Sequence, residues 1–220
     1  MITVYHLNNS RSQRVLWLLE ELELPYEVKR FEREATRLAP ETLKAVHPLG
    51  KSPVVVDGDI TVAESGAIVE YLIETYGRGR LIPAGPGPER RRYAYWMHYA
   101  EGSAMPPLVM QLIFTQIPKS PQMPFFLRPL ARGIFGAVEK NFLAPQIAAH
   151  IALWAAELEK SAYFAGDFLT GADIMMSFPL EAVATTAGLP PVLNNYLAGL
   201  HARPAYQRAL ARGGPYALAA

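Results

Sequence analysis

The chain has 220 residues, 50% of them hydrophobic and 19% charged, with a net charge of +1 and no cysteine. That length supports one large domain or two small ones around a sizeable core, and the near-neutral balance removes the bulk attraction that nucleic acid or an acidic membrane requires. Absence of cysteine excludes disulfides, thiolate metal sites, iron–sulfur clusters, CxxC redox pairs and a cysteine nucleophile. Met1–Leu7 lacks the basic start, apolar stretch and cleavage site of a signal peptide, and no apolar run reaches the ~18 residues of a bilayer span. A cytoplasmic protein without a membrane or nucleic-acid partner is the expectation.

Strand and helix signals alternate through the first eighty residues. Ile2–Leu7 reads as a strand. Val15, Leu18, Leu19 and Leu22 then recur with helical spacing until Pro25 intervenes. Tyr26–Phe31 offers a second strand, followed by a polar stretch and a short helix starting at Pro40-Glu41. Pro53–Val62 is a hairpin around Asp57-Gly58, and Ser65 opens a helix with Ile68, Tyr71 and Leu72 on its inner face. The order β-α-β-α-β-β-α, with its first two strands parallel and its last two antiparallel, is a thioredoxin-like α/β topology.

Residues 78–88 hold three Pro and three Gly and read as a linker between a domain at 1–80 and one at 88–220. Beyond it strand signals stop. Glu89–Gln116, Phe135–Lys160, Ala172–Ala187, Pro191–His201 and Ala205–Ala211 read as helices of an all-α bundle, with Ile117–Pro129 as an extended loop. Arg90-Arg91-Arg92 reads as a solvated face. The five histidines show no ligand spacing, so no metal is expected.

Three junctions carry candidate chemistry. In Asn9-Ser10-Arg11-Ser12-Gln13, Ser10 with Gln13 fits a capping box, yet a hydroxyl at a helix N-terminus equally donates to an anion such as a thiolate. In Gly50-Lys51-Ser52-Pro53, Pro53 must occupy a strand start, edge or bend. A cis Ser52–Pro53 bond satisfies that and leaves the Ser52 backbone free for an extended peptide-like ligand, with Lys51 beside it for a carboxylate. At Glu64-Ser65, the serine is either an N-cap or a carboxylate binder, and Glu64 suits an ammonium. Trp96, Met97, Tyr99, Met105, Met110 and Phe114 follow helical spacing as core residues, some of them available to an apolar pocket.

These junctions, together with Phe168-Leu169-Thr170-Gly171-Ala172-Asp173-Ile174 in the second half, resemble a cytosolic-type glutathione S-transferase of the bacterial and fungal, serine-dependent kind. The likeness covers essentially the whole chain. It implies a homodimeric detoxification enzyme with glutathione as co-substrate, attacking small apolar electrophiles and able to reduce peroxides as a side activity. Alternatives on the same fold are a glutathione-dependent isomerase or lyase and a non-catalytic binding protein. By the resemblance, Ser10 is the activating hydroxyl, with Ser12 and Asn9 as alternates. Lys51 reaches the glycyl carboxylate, Ser52 before Pro53 pairs with the cysteinyl unit, and Glu64 and Ser65 hold the γ-glutamyl end. Tyr99, Met105, Met110 and Phe114 line the electrophile pocket. Thr170 and Asp173 form a buried capping box, and Gly171, where many relatives carry a bulkier residue, is expected to loosen that turn.

Overall fold

A computed structural model describes residues 1–34 and 39–219; the polar stretch expected after Phe31 lies partly outside them. The N-terminal half is a four-stranded sheet in the order β2-β1-β3-β4, built from β1 (Ile2–Leu7), β2 (Tyr26–Phe31), β3 (Val54–Asp57) and β4 (Ile60–Ala63). β1 runs parallel to β2, Ile2 opposite Tyr26, and antiparallel to β3; β3 and β4 form the antiparallel hairpin. Ile2, Val4 and His6 alternate onto the buried side of β1, as one covered face requires. The parallel first pair and antiparallel last pair expected from the sequence are both present, and the fold is thioredoxin-like followed by a helical bundle.

Helix α1 (Ser12–Glu21) lies between the two halves, touching β1, α2 (Ser65–Tyr76), α7 (Gly171–Ala184) and α9 (Pro204–Gly213). Every residue from Ser12 to Leu19 is buried, so this helix is core on all sides. The short helix expected at Pro40 is a 3₁₀ turn, Glu41–Ala45, that buries only Leu43.

Two helices expected as continuous are each interrupted by a π-helical turn. α3 (Pro88–Tyr99) passes through Ala100–Ala104 into α4 (Met105–Gln116), and α5 (Arg128–Val138) passes through Glu139–Leu143 into α6 (Ala144–Leu158). In both cases proline follows at once: Pro106-Pro107 and Pro145. A proline in a regular α-helix clashes with the carbonyl four residues back, and a wider turn, in which Met105 N–H reaches Ala100 C=O and Ala144 N–H reaches Glu139 C=O, removes the conflict. The extended loop expected over 117–129 instead holds two 3₁₀ turns, Ile117–Lys119 and Phe125–Leu127, and α5 begins within it. Pro129 sits in the first helical turn, where a missing N–H costs nothing. α8 (Pro191–His201) completes the bundle.

Candidate active site

The three junctions singled out in the sequence meet at one end of the sheet. Val54 stands opposite both Tyr5 of β1 and Ala63 of β4. Adjacent strands lie about 4.8 Å apart, so the turn leaving β1 at Asn8–Arg11, the Ser52–Pro53 approach and the Glu64–Ser65 junction are neighbours. Ser52–Pro53 is cis. The Ser52 hydroxyl turns inward, donating to Tyr5 C=O at 2.8 Å and accepting Leu7 N–H at 3.1 Å. This fastens the loop to β1 and leaves the Ser52 N–H and C=O without a backbone partner among the described residues. Lys51 is exposed, following Gly50 at φ +57°, a left-handed turn that glycine adopts without a steric penalty. Glu64, at φ +73° and exposed, precedes α2, whose N-terminus no side chain caps. Its first N–H groups and dipole form a ready anion site beside the buried Ser65.

At the start of α1 the side chains form a hydroxyl chain. Ser10 Oγ lies 2.7 Å from Ser12 Oγ, and Ser12 Oγ lies 2.8 Å from His6 Nδ1. Ser12 Oγ also accepts Leu7 N–H at 3.3 Å, and Ser10 Oγ accepts Ser12 N–H at 3.2 Å. Burial, helped by the charge of Arg30, lowers His6 from 6.5 to about 4, while its hydrogen bond to the Gly213 backbone opposes the shift. His6 is therefore a neutral imidazole near pH 7. With Nδ1 as the acceptor, Ser12 donates to the ring and can itself accept from Ser10. Ser12 is fully buried and Ser10 only 4% exposed. Asn9 is exposed at φ +48°, with its side-chain oxygen accepting Ala217 N–H at 2.7 Å. The expected Ser10–Gln13 capping box does not form. The helix starts one residue later, and both polar atoms of the Gln13 side chain are buried without a partner among the described residues.

Three guanidiniums surround this helix start. Arg11 Nε is 2.9 Å from Glu101, on the first π-helical turn, and Arg14 pairs with the other oxygen of the same carboxylate. Arg14 also donates to Met175 C=O at 2.7 Å, and both arginines lie over the Phe178 ring. Arg33 donates to Asn9 C=O at 3.3 Å, and its pKa is lowered by burial and by the charge of Arg11. Cationic charge and the α1 dipole thus favour an anion at Ser10.

Residues 1–74 match the family described as the glutathione S-transferase N-terminal domain. Glutathione S-transferase 3 of Schizosaccharomyces pombe is 37% identical over 186 residues, 83% of this chain and 74% of that protein. The chain belongs to the glutathione S-transferase family. A crystal structure of a glutathione S-transferase from Actinobacillus pleuropneumoniae superposes with a TM-score of 0.78 at 32% identity, covering 99% of this chain and 95% of that one. A theta class glutathione S-transferase from Xanthomonas axonopodis pv. citri, solved with glutathione bound, gives 0.71 at 25% identity over 94% and 96% of the two chains.

The apolar residues expected to line the electrophile pocket of such a transferase are dispersed. Tyr99 lines a cleft of about 880 Å³ between α3 and α6, with Tyr95, His98 and His150. Phe114 lines a separate cavity of about 260 Å³ against α5. Met105 belongs to the core, and Met110 packs against it half-buried. Arg92, expected in a solvated face, is bound to Glu157 at 2.5 Å and Ser161 at 2.8 Å. The Thr170–Asp173 capping box is present, and the Asp173 carboxylate also accepts Phe164 N–H and Tyr196 O–H. Gly171 does not loosen that turn: a Cβ there would lie 2.7 Å from Ile73 Cδ1 and 2.9 Å from Tyr93 Oη. Sequence reasoning missed His6, Arg11, Arg33 and Glu101. Strand alternation after Ile2 and Val4 placed His6 on the inner face, a usable signal; Glu101 had none.

Proposed function

We propose that this chain is a glutathione transferase in which the Ser10 hydroxyl keeps the thiol of bound glutathione ionised for attack on small apolar electrophiles. The observation that carries this reading is the convergence, at one end of the sheet, of the Ser10 hydroxyl with the free backbone of Ser52 before cis Pro53 and the uncapped helix at Ser65. Glutathione offers two carboxylates, an ammonium and an extended peptide backbone. Lys51 suits the glycyl carboxylate, and the Ser52 backbone suits the cysteinyl unit. Ser65 with the α2 N-terminus suits the γ-glutamyl carboxylate, and Glu64 its ammonium.

A free thiol titrates near 8.5, and lowering it by ~2 pH units takes about 2.7 kcal/mol. One charge-assisted hydrogen bond together with a helix dipole supplies that. Ser10 has only to turn its hydrogen from Ser12 toward the sulfur. Ser12 Oγ then keeps Leu7 N–H as a donor, so the inner network is not orphaned. The thiolate attacks the electrophilic carbon as its leaving group departs, in an apolar pocket that the helical half contributes. Full burial of Ser12 and the Ala217 contact on Asn9 favour Ser10 over either alternate.

The proposal extends to domains at 1–80 and 88–220, a homodimer, a cytoplasmic place and a role in detoxification, with peroxide reduction as a side activity. Retention on immobilised glutathione followed by an electrophile panel is the test. A protein that is not retained, or whose retention survives both Lys51→Ala and Ser65→Ala, refutes it. Turnover of an unsaturated keto-acid without loss of glutathione would reassign it as an isomerase, and retention with no turnover as a binding protein.

A further inference from the structure

We propose that the tip joining α4 to α5 is a docking surface for an anionic lipid bilayer. From Gly102 to Val138 the sequence holds three cations, Lys119, Arg128 and Arg132, and no carboxylate. This stretch is therefore net basic for want of carboxylates within a chain of net charge +1, and the remainder is net negative. None of the three cations forms an ion pair among the described residues. Arg128 binds back to Met123 C=O at 3.3 Å and Ser120 C=O at 3.5 Å, contacts that leave its charge uncompensated at the tip.

The apolar groups of the same tip face outward. Phe125 is 80% and Phe126 67% exposed, and Leu127, Leu130 and Ile134 continue the exposed apolar surface along one side of α5 at i, i+3, i+7 spacing. α5 buries none of its residues; its inner side is held by the stack of Phe135 on Phe114, centroids 5.0 Å apart. Glu139 lines the same cavity as Lys119 and Arg132 but pairs with neither among the described residues, its carboxylate accepting Gln111 Nε2–H. Protruding aromatic rings beside these unpaired cations match an anionic bilayer, which takes up the rings at its interface and balances the charge. Pairing tip with tip about a two-fold axis would set cation against cation; a second copy seated on the tip by another of its surfaces is the outcome that oligomer size reports.

α5 is too short to span: 11 residues rise about 16 Å against ~30 Å of hydrocarbon. Contact is interfacial. The far end of α4 lies fifteen residues beyond Glu101, roughly 22 Å along the helix, so docking leaves the start of α1 open. The expectation of no membrane partner rested on whole-chain charge and the lack of a spanning run, neither of which measures a local patch.

Co-sedimentation of the full chain with phosphatidylcholine vesicles, with and without phosphatidylglycerol, tests this. The expected result is binding to the phosphatidylglycerol vesicles only, weakened by salt. Phe125→Ser with Phe126→Ser should lower partitioning about tenfold or more, and Lys119→Gln or Arg132→Gln about fivefold each. Both phenylalanines are solvent-exposed, so the circular dichroism spectrum should not change. Absence of binding to anionic vesicles, or equal binding by the double serine variant, overturns the proposal. So does a loss of oligomer size in that variant, which would assign the tip to a second copy.

Discussion

Replacing Glu101 by alanine tests the ion pairs between the two halves of the chain most directly. Its carboxylate holds Arg14, whose side chain is 1% exposed, and Arg11, whose side chain is 34% exposed. Without it Arg11 can turn to water, and an exposed pair of that kind contributes about 0–1 kcal/mol. Arg14 cannot. It keeps only the Met175 carbonyl and the face of Phe178, 5.3 Å away, and a buried cation stripped of its counter-charge costs about 3–5 kcal/mol. Against a total stability of about 5–15 kcal/mol, this is a large loss, lowering Tm by roughly 10 °C for a chain of this size. Urea unfolding followed by both fluorescence and circular dichroism measures it, and coincident transitions establish that the halves unfold together. Arg14→Met removes the charge instead of orphaning it. Glu101→Ala in that background should then cost no more than about 1 kcal/mol. A loss below about 1 kcal/mol in the wild-type background, or equal losses in both, refutes the reasoning.

Ser10→Ala should raise the pKa of bound glutathione thiol by about 1–2 pH units, the equivalent of one charge-assisted hydrogen bond; thiolate absorbance read across pH checks it. Ser12→Ala should move that pKa less and cost about 1–3 kcal/mol of stability, because His6 Nδ1 loses its donor. His6 titrates near 4 when folded against 6.5 unfolded, so between those values the unfolded chain binds a proton that the native chain refuses. Stability should be flat above pH 6.5 and fall by up to about 3 kcal/mol on acidification to pH 4, and His6→Asn should flatten that part of the urea-midpoint profile. Gly171→Val places its first carbon 2.7 Å from Ile73 Cδ1, so it should destabilise by about 1–3 kcal/mol or more through overpacking, read as a lowered Tm.

Much of the fold was legible because it rests on short-range signals. Asp57-Gly58 between two β-branched runs specifies a hairpin, and Pro53 at a strand start constrains the loop before it, whatever the rest of the chain does. The helical half was less legible where proline carries two meanings. Pro129 marked a loop in the sequence but opens α5, and Pro106-Pro107 and Pro145 left no trace of the π-helical turns they accompany. A proline forbids one hydrogen bond, and whether the chain ends a helix there, starts one or widens a turn depends on the tertiary contacts available.

The site divides along the same line. Ser10 and Ser65 stand out as candidates because a junction of strand and helix exposes backbone groups wherever it occurs, and Ser52 because a proline follows it at a strand start. The charges around Ser10 do not. Glu101 follows Arg11 by ninety residues, and its effect on that arginine exists only once the first π-helical turn has packed against α1. Buried Arg14 runs against the ordinary expectation for arginine, since nothing between Ser10 and Leu19 distinguishes it from a solvated charge. In α5 the ambiguity is of another kind: periodicity identifies an apolar side without saying what covers it. The structure leaves that side exposed next to three cations, with Glu139 lining the same small cavity as Lys119 and Arg132. The chemistry proposed for the sheet end is thus a local property of three junctions, whereas the ion pairs beside Ser10 reach the helical half through the Glu101 carboxylate. A change at Glu101 should therefore alter thiol activation and stability together, and one at Lys51 should alter glutathione binding alone.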